Sequence, residues 1–222
     1  MGLDLVIFDC DGVLVDTERL TVGVEARLLT GLGWAHTPDD VVARFMGRSS
    51  AAQLAELEAR LGSEKTRRFD ELCEIELREV FERDLVAVPG VREVIHSLAQ
   101  RDVPTCVASS GSHAKMRTTL GLTGLYGDFE GRIFSAAEVP HGKPAPDLFL
   151  HAAAAMAVDP AGTAVVEDSV YGVRAAVAAG MTAYGFGGGL SPEEALAAAG
   201  AEVFHEMAEL VDLLAHSSAR TA

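Results

Sequence analysis

Five short, mostly apolar runs, each stopping at a polar residue or a glycine, constrain the fold of this chain more than any other feature. They are Leu3–Phe8, Thr105–Ala108, Arg132–Phe134, Thr163–Val166 and Thr182–Phe186. Partly β-branched runs of this length suit strands buried on both faces of a parallel sheet. Between them lie stretches with helical spacing. Val91, Val94, Ile95 and Leu98 mark one over 91–100, and 146–156 and 170–179 are similar. Strand alternating with helix predicts an α/β chain with a doubly wound parallel sheet and helices on both faces. Right-handed crossovers bring every strand's C-terminal end to one edge. Ligands of such sheets bind at that edge, near the topological switch point.

The alternation breaks from about residue 17 to 85, where no strand run occurs. Four helical segments with clear punctuation replace it. The first runs from about Thr17 to Leu32 and stops at Gly33. Thr37 and Pro38 open the second, with Asp40 in the capping-box position. Ser49 or Ser50 caps the third, which ends at Gly62, and the fourth runs from about Glu64 to Asp84. Pro89-Gly90 then restarts the main pattern. The predicted division is an α/β core of residues 1–16 and 86–222, with a four-helix insertion over 17–85 after the first strand.

Composition bounds the partners. The 222 residues are 49% apolar and 23% charged, an ordinary globular balance. A formal charge of −15 repels phosphate backbones and anionic lipid, so neither nucleic acid nor membrane is an expected partner. No apolar run approaches the roughly 18–20 residues of a membrane span. MGLDLVIFDCDG lacks a basic leader region, and three cysteines form an odd set in a chain that needs no staples. The expectation is a reduced, cytoplasmic protein, monomeric or weakly dimeric, acting on a small molecule.

Four places at the expected ligand edge carry chemistry. Asp9 and Asp11 follow the first strand two residues apart, so both side chains leave the same side of an extended backbone. Two such carboxylates repel unless one is protonated or a cation lies between them. Either remedy suits phosphoryl transfer, one group attacking phosphorus and the other moving a proton. Alone, the doublet reads equally as a turn that favours Asp and Gly. Ser109 closes the second strand, and Ser110-Gly111-Ser112 leads into a helix, where hydroxyls and amides can bind phosphate or simply cap the helix. Lys143 is one of three lysines, against fifteen arginines, and sits in a proline-stiffened loop, Gly142-Lys143-Pro144-Ala145-Pro146. Held there, it could neutralise a phosphoryl oxygen; as a lone residue it reads as a solvated loop lysine. Glu167 and Asp168 end the fourth strand before Ser169. They form a hard-oxygen cluster with Asp9 of the kind Mg2+ accepts, although acids before a helix are favourable anywhere.

Together the four strings resemble the motif set of the haloacid dehalogenase superfamily of phosphohydrolases. Phe8-Asp9-Cys10-Asp11-Gly12-Val13-Leu14-Val15-Asp16-Thr17-Glu18 resembles the first motif and Val107-Ala108-Ser109-Ser110 the second. Gly142-Lys143-Pro144-Ala145-Pro146-Asp147 resembles the third and Val166-Glu167-Asp168-Ser169 the fourth. The helical insertion resembles the cap of the subfamily that includes beta-phosphoglucomutase and several sugar-phosphate phosphatases. The segments Phe149–Val158 and Val165–Met181 look most like a 6-phosphogluconate phosphatase-type enzyme. The resemblance implies a Rossmann-like core with a helical cap hinged near Val15–Thr17 and Leu85–Val88. It implies an Asp9 nucleophile forming an aspartyl phosphate, with Asp11 as acid and then base. Mg2+ is implied on the Asp9 carboxylate, the Asp11 carbonyl and the Asp168 carboxylate, with Glu167 reaching it through water. Ser109, the Ser110 amide and Lys143 would grip the phosphoryl group. The implied activity is hydrolysis of a small phosphorylated metabolite, such as a sugar or sugar-acid phosphate.

Two departures bear on the substrate. Relatives often carry Lys-Gly where this chain has Met46-Gly47, so Arg48 is the candidate for the substrate's far end. Relatives that are mutases carry a histidine in the first cap helix, where Thr21 aligns, which favours hydrolysis over a phosphomutase. A phospho-accepting signalling receiver shares paired acids, hydroxyl, lysine and Mg2+, but it needs only about half this length and has no insertion. Cys10 is expected to point into the core, Trp34 to close the insertion's own core, and the seven histidines show no ligand spacing.

Overall fold

The computed structural model describes residues 3–45 and 50–217. Arg48 and the Met46-Gly47 pair therefore lie outside the described residues. The chain forms two compact units, Met1–Asp16 with Val86–Ala222, and Thr17–Leu85.

The first unit is built on six parallel strands, β1 (Leu5–Phe8), β2 (Thr105–Ser109), β3 (Ile133–Ser135), β4 (Thr163–Glu167), β5 (Thr182–Phe186) and β6 (Glu202–Phe204). Their order is β3-β2-β1-β4-β5-β6. The chain winds one way from β1 through β2 to β3 and the other way from β4 to β6. The switch point thus lies between β1 and β4. Their register aligns Phe8 with Val166, and the Asp9 amide donates to the Val166 carbonyl at 2.9 Å. Asp9 consequently stands at the carboxyl end of the central strand, level with the end of β4.

The second unit holds α1 (Thr17–Gly31), α2 (Pro38–Phe45), α3 (Ser50–Leu61) and α4 (Ser63–Asp84). The capping box at α2 forms as its sequence implies. Asp40 accepts from the Thr37 amide at 2.8 Å, and its own amide donates to Thr37 Oγ1 at 3.2 Å. Trp34 meets Phe45 edge-on with ring centres 6.1 Å apart, so it packs within this unit as expected. The two stretches flanking the unit pair with each other. Val15 and Ala87 form an antiparallel bridge, the Asp16 amide donates to the Val86 carbonyl at 3.1 Å, and the Val88 amide to the Leu14 carbonyl at 3.0 Å.

Helices α5 (Val91–Gln100), α6 (His113–Leu122), α7 (Tyr126–Phe129), α8 (Asp147–Ala155), α9 (Val170–Ala178), α10 (Glu193–Ala199) and α11 (Met207–Ser217) complete the first unit. Strand periodicity sorts them. Leu5 and Ile7 point into a cluster with Leu148, Phe149 and Ala152 of α8 and Val173 and Ala176 of α9. The alternate residue Phe8 meets Phe129 of α7 edge-on at 6.2 Å, on the other face. Alanines on α8 and α9 let both helices lie close to the sheet. The third strand begins one residue later than the apolar run suggests, because the Arg132 amide closes the turn after α7 by donating to the Phe129 carbonyl at 2.8 Å. The edge strand β6 was not expected; its three residues are too few to show a period. Among the described residues no helix is long and apolar enough to cross a membrane.

Ile7 is fully buried in the central strand. Ile7→Ala should therefore cost about 2–5 kcal/mol of stability, read as a lower urea midpoint. A loss below about 1 kcal/mol would mean that this face of β1 is not packed against α8 and α9.

Candidate active site

The centre of the site is a buried ion triad. Lys143 precedes α8, on a loop whose Lys143–Pro144 peptide is cis. Its ammonium donates to Asp9 Oδ1 at 2.5 Å, to Glu167 Oε1 at 2.6 Å and to the Ala108 carbonyl at 3.3 Å. A lysine has three donors, and here each one finds an acceptor, from β1, β4 and β2 respectively. The Lys143 side chain is 6% exposed, and Asp9 and Glu167 are equally hidden. The solvated-loop reading of Lys143 is thus excluded by its burial.

Local chemistry holds each partner in place. Glu167 Oε2 accepts from the Ser169 amide at 2.7 Å and the Ser169 hydroxyl at 2.8 Å, so both carboxylate oxygens are used. Ser169 caps α9 by accepting from the Gly172 amide at 3.0 Å. A β-carbon at Gly172 would stand 1.8 Å from Glu167 Oε1, which makes glycine the residue that lets the carboxylate lie against the helix. Asp168 is buried, and its Oδ2 rests on the loop after β1. A β-carbon at Gly12 would come within 2.1 Å of that oxygen, and Gly12 has φ +80° besides. Close approach and a left-handed backbone both require glycine there.

Asp11 is more open. Its Oδ2 pairs with the Lys115 ammonium of α6 at 2.7 Å. Ser109 is buried at the end of β2, and its hydroxyl accepts from the Gly111 amide at 3.2 Å. Ser135 at the end of β3 donates to the Gly111 carbonyl at 2.7 Å and so fixes the same turn. Ser110 is exposed, and Ser112 caps α6 by accepting from the Lys115 amide at 3.3 Å. The structure thus brings Asp9, Asp11, Ser109, Ser110, Lys143, Glu167 and Asp168 to one edge of the sheet. Thr21 lies on α1 in the other unit, where its hydroxyl donates to the Thr17 carbonyl at 2.8 Å. Cys10 is buried with Sγ 4.0 Å from Thr119 Oγ1, on the core side, as strand alternation requires.

The electrostatics follow from burial. Desolvation pushes the Asp9 carboxyl up to about 7, and the charges of Glu167 and Asp11 add to it, while Lys143 pulls the other way. Burial also opposes the Lys143 charge, but the two carboxylates outweigh it and hold the ammonium protonated. Asp9 and Glu167 share the Lys143 ammonium, and a third hidden carboxylate, Asp168, follows Glu167 at the same edge. The edge can accept further positive charge. Burial, with the nearby Asp11 and Asp9 charges, raises the Cys10 thiol well above its usual range.

Sequence reasoning missed Lys115. Its partner is 104 positions away, and nothing in the local pattern names it. The available signal was its rarity and its place in the first turn of a helix at the ligand edge. Glu167 was singled out as a metal contact, and its grip on Lys143 was not foreseen.

Comparison with known proteins gives this geometry a context. The family model for haloacid dehalogenase-like hydrolases matches residues 3–180. The chain is 30% identical over 186 residues to a 6-phosphogluconate phosphatase of Escherichia coli K12, covering 83% of this chain and 82% of that protein. It is 31% identical over 214 residues to a phosphorylated carbohydrates phosphatase of Thermotoga maritima, covering 96% and 98%. Among solved structures, a conserved haloacid dehalogenase-like protein of unknown function from Agrobacterium tumefaciens superposes with TM-score 0.84 and 36% identity, over 97% of this chain and 99% of that one. The matched span runs from β1 through α9 and so includes all four segments that meet at Lys143; this chain belongs to the haloacid dehalogenase-like hydrolase family.

Proposed function

We propose that the protein is a Mg2+-dependent phosphatase that hydrolyses a small phosphorylated metabolite, of the sugar-phosphate or sugar-acid-phosphate class, through an aspartyl phosphate on Asp9. The observation that carries this reading is the buried Lys143 bridge between Asp9 and Glu167 at the switch point of the sheet. It hides two carboxylates at the place where a ligand meets the strand ends and matches them with one ammonium.

The donor set fits a hard divalent cation. Asp9 and Asp168 offer carboxylates, and the Asp11 carbonyl belongs to the loop that Asp168 touches through Gly12. Among the described residues no three His, Cys, Asp or Glu side chains form a ready-made cage. Mg2+ characteristically binds through one or two carboxylates and keeps water and substrate oxygens. Asp9, Asp168 and the Asp11 carbonyl would hold it. Glu167, with both oxygens engaged by protein donors, would reach it through water. When bound, the ion supplies charge neutralisation at the phosphoryl oxygens.

The protein's own groups then divide the work. Asp9 attacks phosphorus as the bond from phosphorus to the ester oxygen breaks. Asp11 gives its proton to the leaving alkoxide, then takes one from water as that water displaces Asp9. Lys143, Ser109 and the Ser110 amide orient the phosphoryl group. Residues 17–85 are assigned the part of a cap, hinged at the paired stretches around Val15 and Ala87, with Arg48 reading the substrate's far end. Thr21, where mutases carry histidine, favours hydrolysis over phosphoryl return.

A screen of phosphorylated sugars, sugar acids and p-nitrophenyl phosphate should release inorganic phosphate. An isomeric ester appearing in its place from a sugar 1-phosphate would make the protein a mutase. Asp9→Asn should lower turnover by about 10³-fold or more with the fold unchanged by circular dichroism; retained activity would remove Asp9 from the nucleophile's role. EDTA should silence the enzyme and Mg2+ restore it. Millimolar Mg2+ should also raise the Tm of the native chain but not of Asp168→Asn, and equal shifts in both would displace Asp168 from the metal.

A further inference from the structure

We propose that Lys115 is a positioning residue for Asp11, holding Oδ2 of that carboxyl so that the transferable proton is carried on Oδ1, toward the leaving group. The proposal rests on the phosphatase reading above and deepens it.

Three observations converge on this lysine. Its ammonium donates to Asp11 Oδ2 at 2.7 Å, across 104 positions of sequence. Its stem passes over Gly111: a β-carbon there would lie 3.5 Å from Lys115 Cδ, 3.6 Å from Ser109 Oγ and 3.7 Å from Asp11 Oδ2. The turn that fixes the phosphate-side serine therefore also sets the route of the lysine arm. Finally, Lys115 sits in the first turn of α6, three residues after the Ser112 cap. A cation in a first turn works against the helix dipole. A residue that breaks a local rule without repaying it locally is expected at a functional site, and the Asp11 contact is what repays it here.

The chemistry needs such a partner. In the first half-reaction a bond forms between Asp9 and phosphorus while the bond to the ester oxygen breaks, and the proton on Asp11 Oδ1 moves to that oxygen. An ammonium on Oδ2 fixes the rotation of the carboxyl and so keeps Oδ1 as the oxygen that serves the leaving group. In the second half-reaction the same carboxylate, still held at Oδ2, takes a proton from water as the aspartyl phosphate is cleaved. The demand for a proton depends on the leaving group: a sugar alkoxide cannot depart without one, and p-nitrophenolate can.

The test uses that difference. Values of kcat/KM for p-nitrophenyl phosphate, phenyl phosphate and 6-phosphogluconate are measured for the native chain, Lys115→Met and Lys115→Arg. Lys115→Met should lose about 10-fold or more on the alkyl ester and less than about 3-fold on p-nitrophenyl phosphate, with phenyl phosphate between them. Lys115→Arg should recover most of the loss, because it restores a donor to Oδ2. Equal losses on all three esters, or no loss on any, would overturn the assignment. A native chain inactive on all three would instead overturn the phosphatase reading on which it rests.

Discussion

Placing an ammonium in the interior of a sheet edge is costly unless its charge and all its protons are matched, and the site of this protein is organised around that requirement. Lys143 reaches acceptors on β1, β4 and the end of β2 at once. Removing either carboxylate would leave part of a buried charge uncompensated, a loss of about 3–5 kcal/mol for a broken buried pair. The bridge therefore ties three strand ends and the loop before α8 into one arrangement. It also explains why the neighbouring positions admit so little variation in shape. Gly172 makes room for Glu167, and Gly12 makes room for Asp168. The charges come first in this account, and the glycines follow from where the charges must lie.

The same arrangement prepares the edge for a doubly anionic ligand in a chain of net charge −15. Long-range electrostatics repel such a ligand, so the attraction has to be local. In the proposed reading Lys143 and the amides around Ser109 would supply part of it. The proposed Mg2+ would supply the rest, at an edge where burial, with the Glu167 and Asp11 charges added, keeps the Asp9 carboxyl raised. Asp11 stands apart from this buried set. It is paired with a half-exposed lysine, Lys115, and not with the hidden one. Two aspartates two residues apart thus occupy different electrical environments, which is what distinct roles for them require.

Much of this was legible in the sequence, for a physical reason. Buried parallel strands must be apolar, and their chemistry must begin where they end, so Asp9, Ser109 and Glu167 mark strand ends by contrast alone. The helical spacing of Val91, Val94, Ile95 and Leu98 likewise gave α5 its observed limits. What escaped was set by contacts, not by pattern. The strand β6 is too short to show a period. Arg132 lies outside β3 because its amide is taken by the turn to the Phe129 carbonyl. Lys115 is rare in type and sits in a first helical turn, but only the fold lays its arm over Gly111 to Asp11. Arg48, which sequence reasoning assigned to the substrate's far end, lies outside the described residues and stands on the resemblance alone.

The central claim is that Asp9 becomes covalently phosphorylated. Borohydride reduces an acyl phosphate to an alcohol, converting a phosphorylated aspartate to homoserine. Enzyme quenched during turnover, treated with borohydride and digested should yield a peptide with homoserine at position 9, identified by mass spectrometry. Homoserine at position 11, or at neither position in enzyme that is releasing phosphate, would contradict the account.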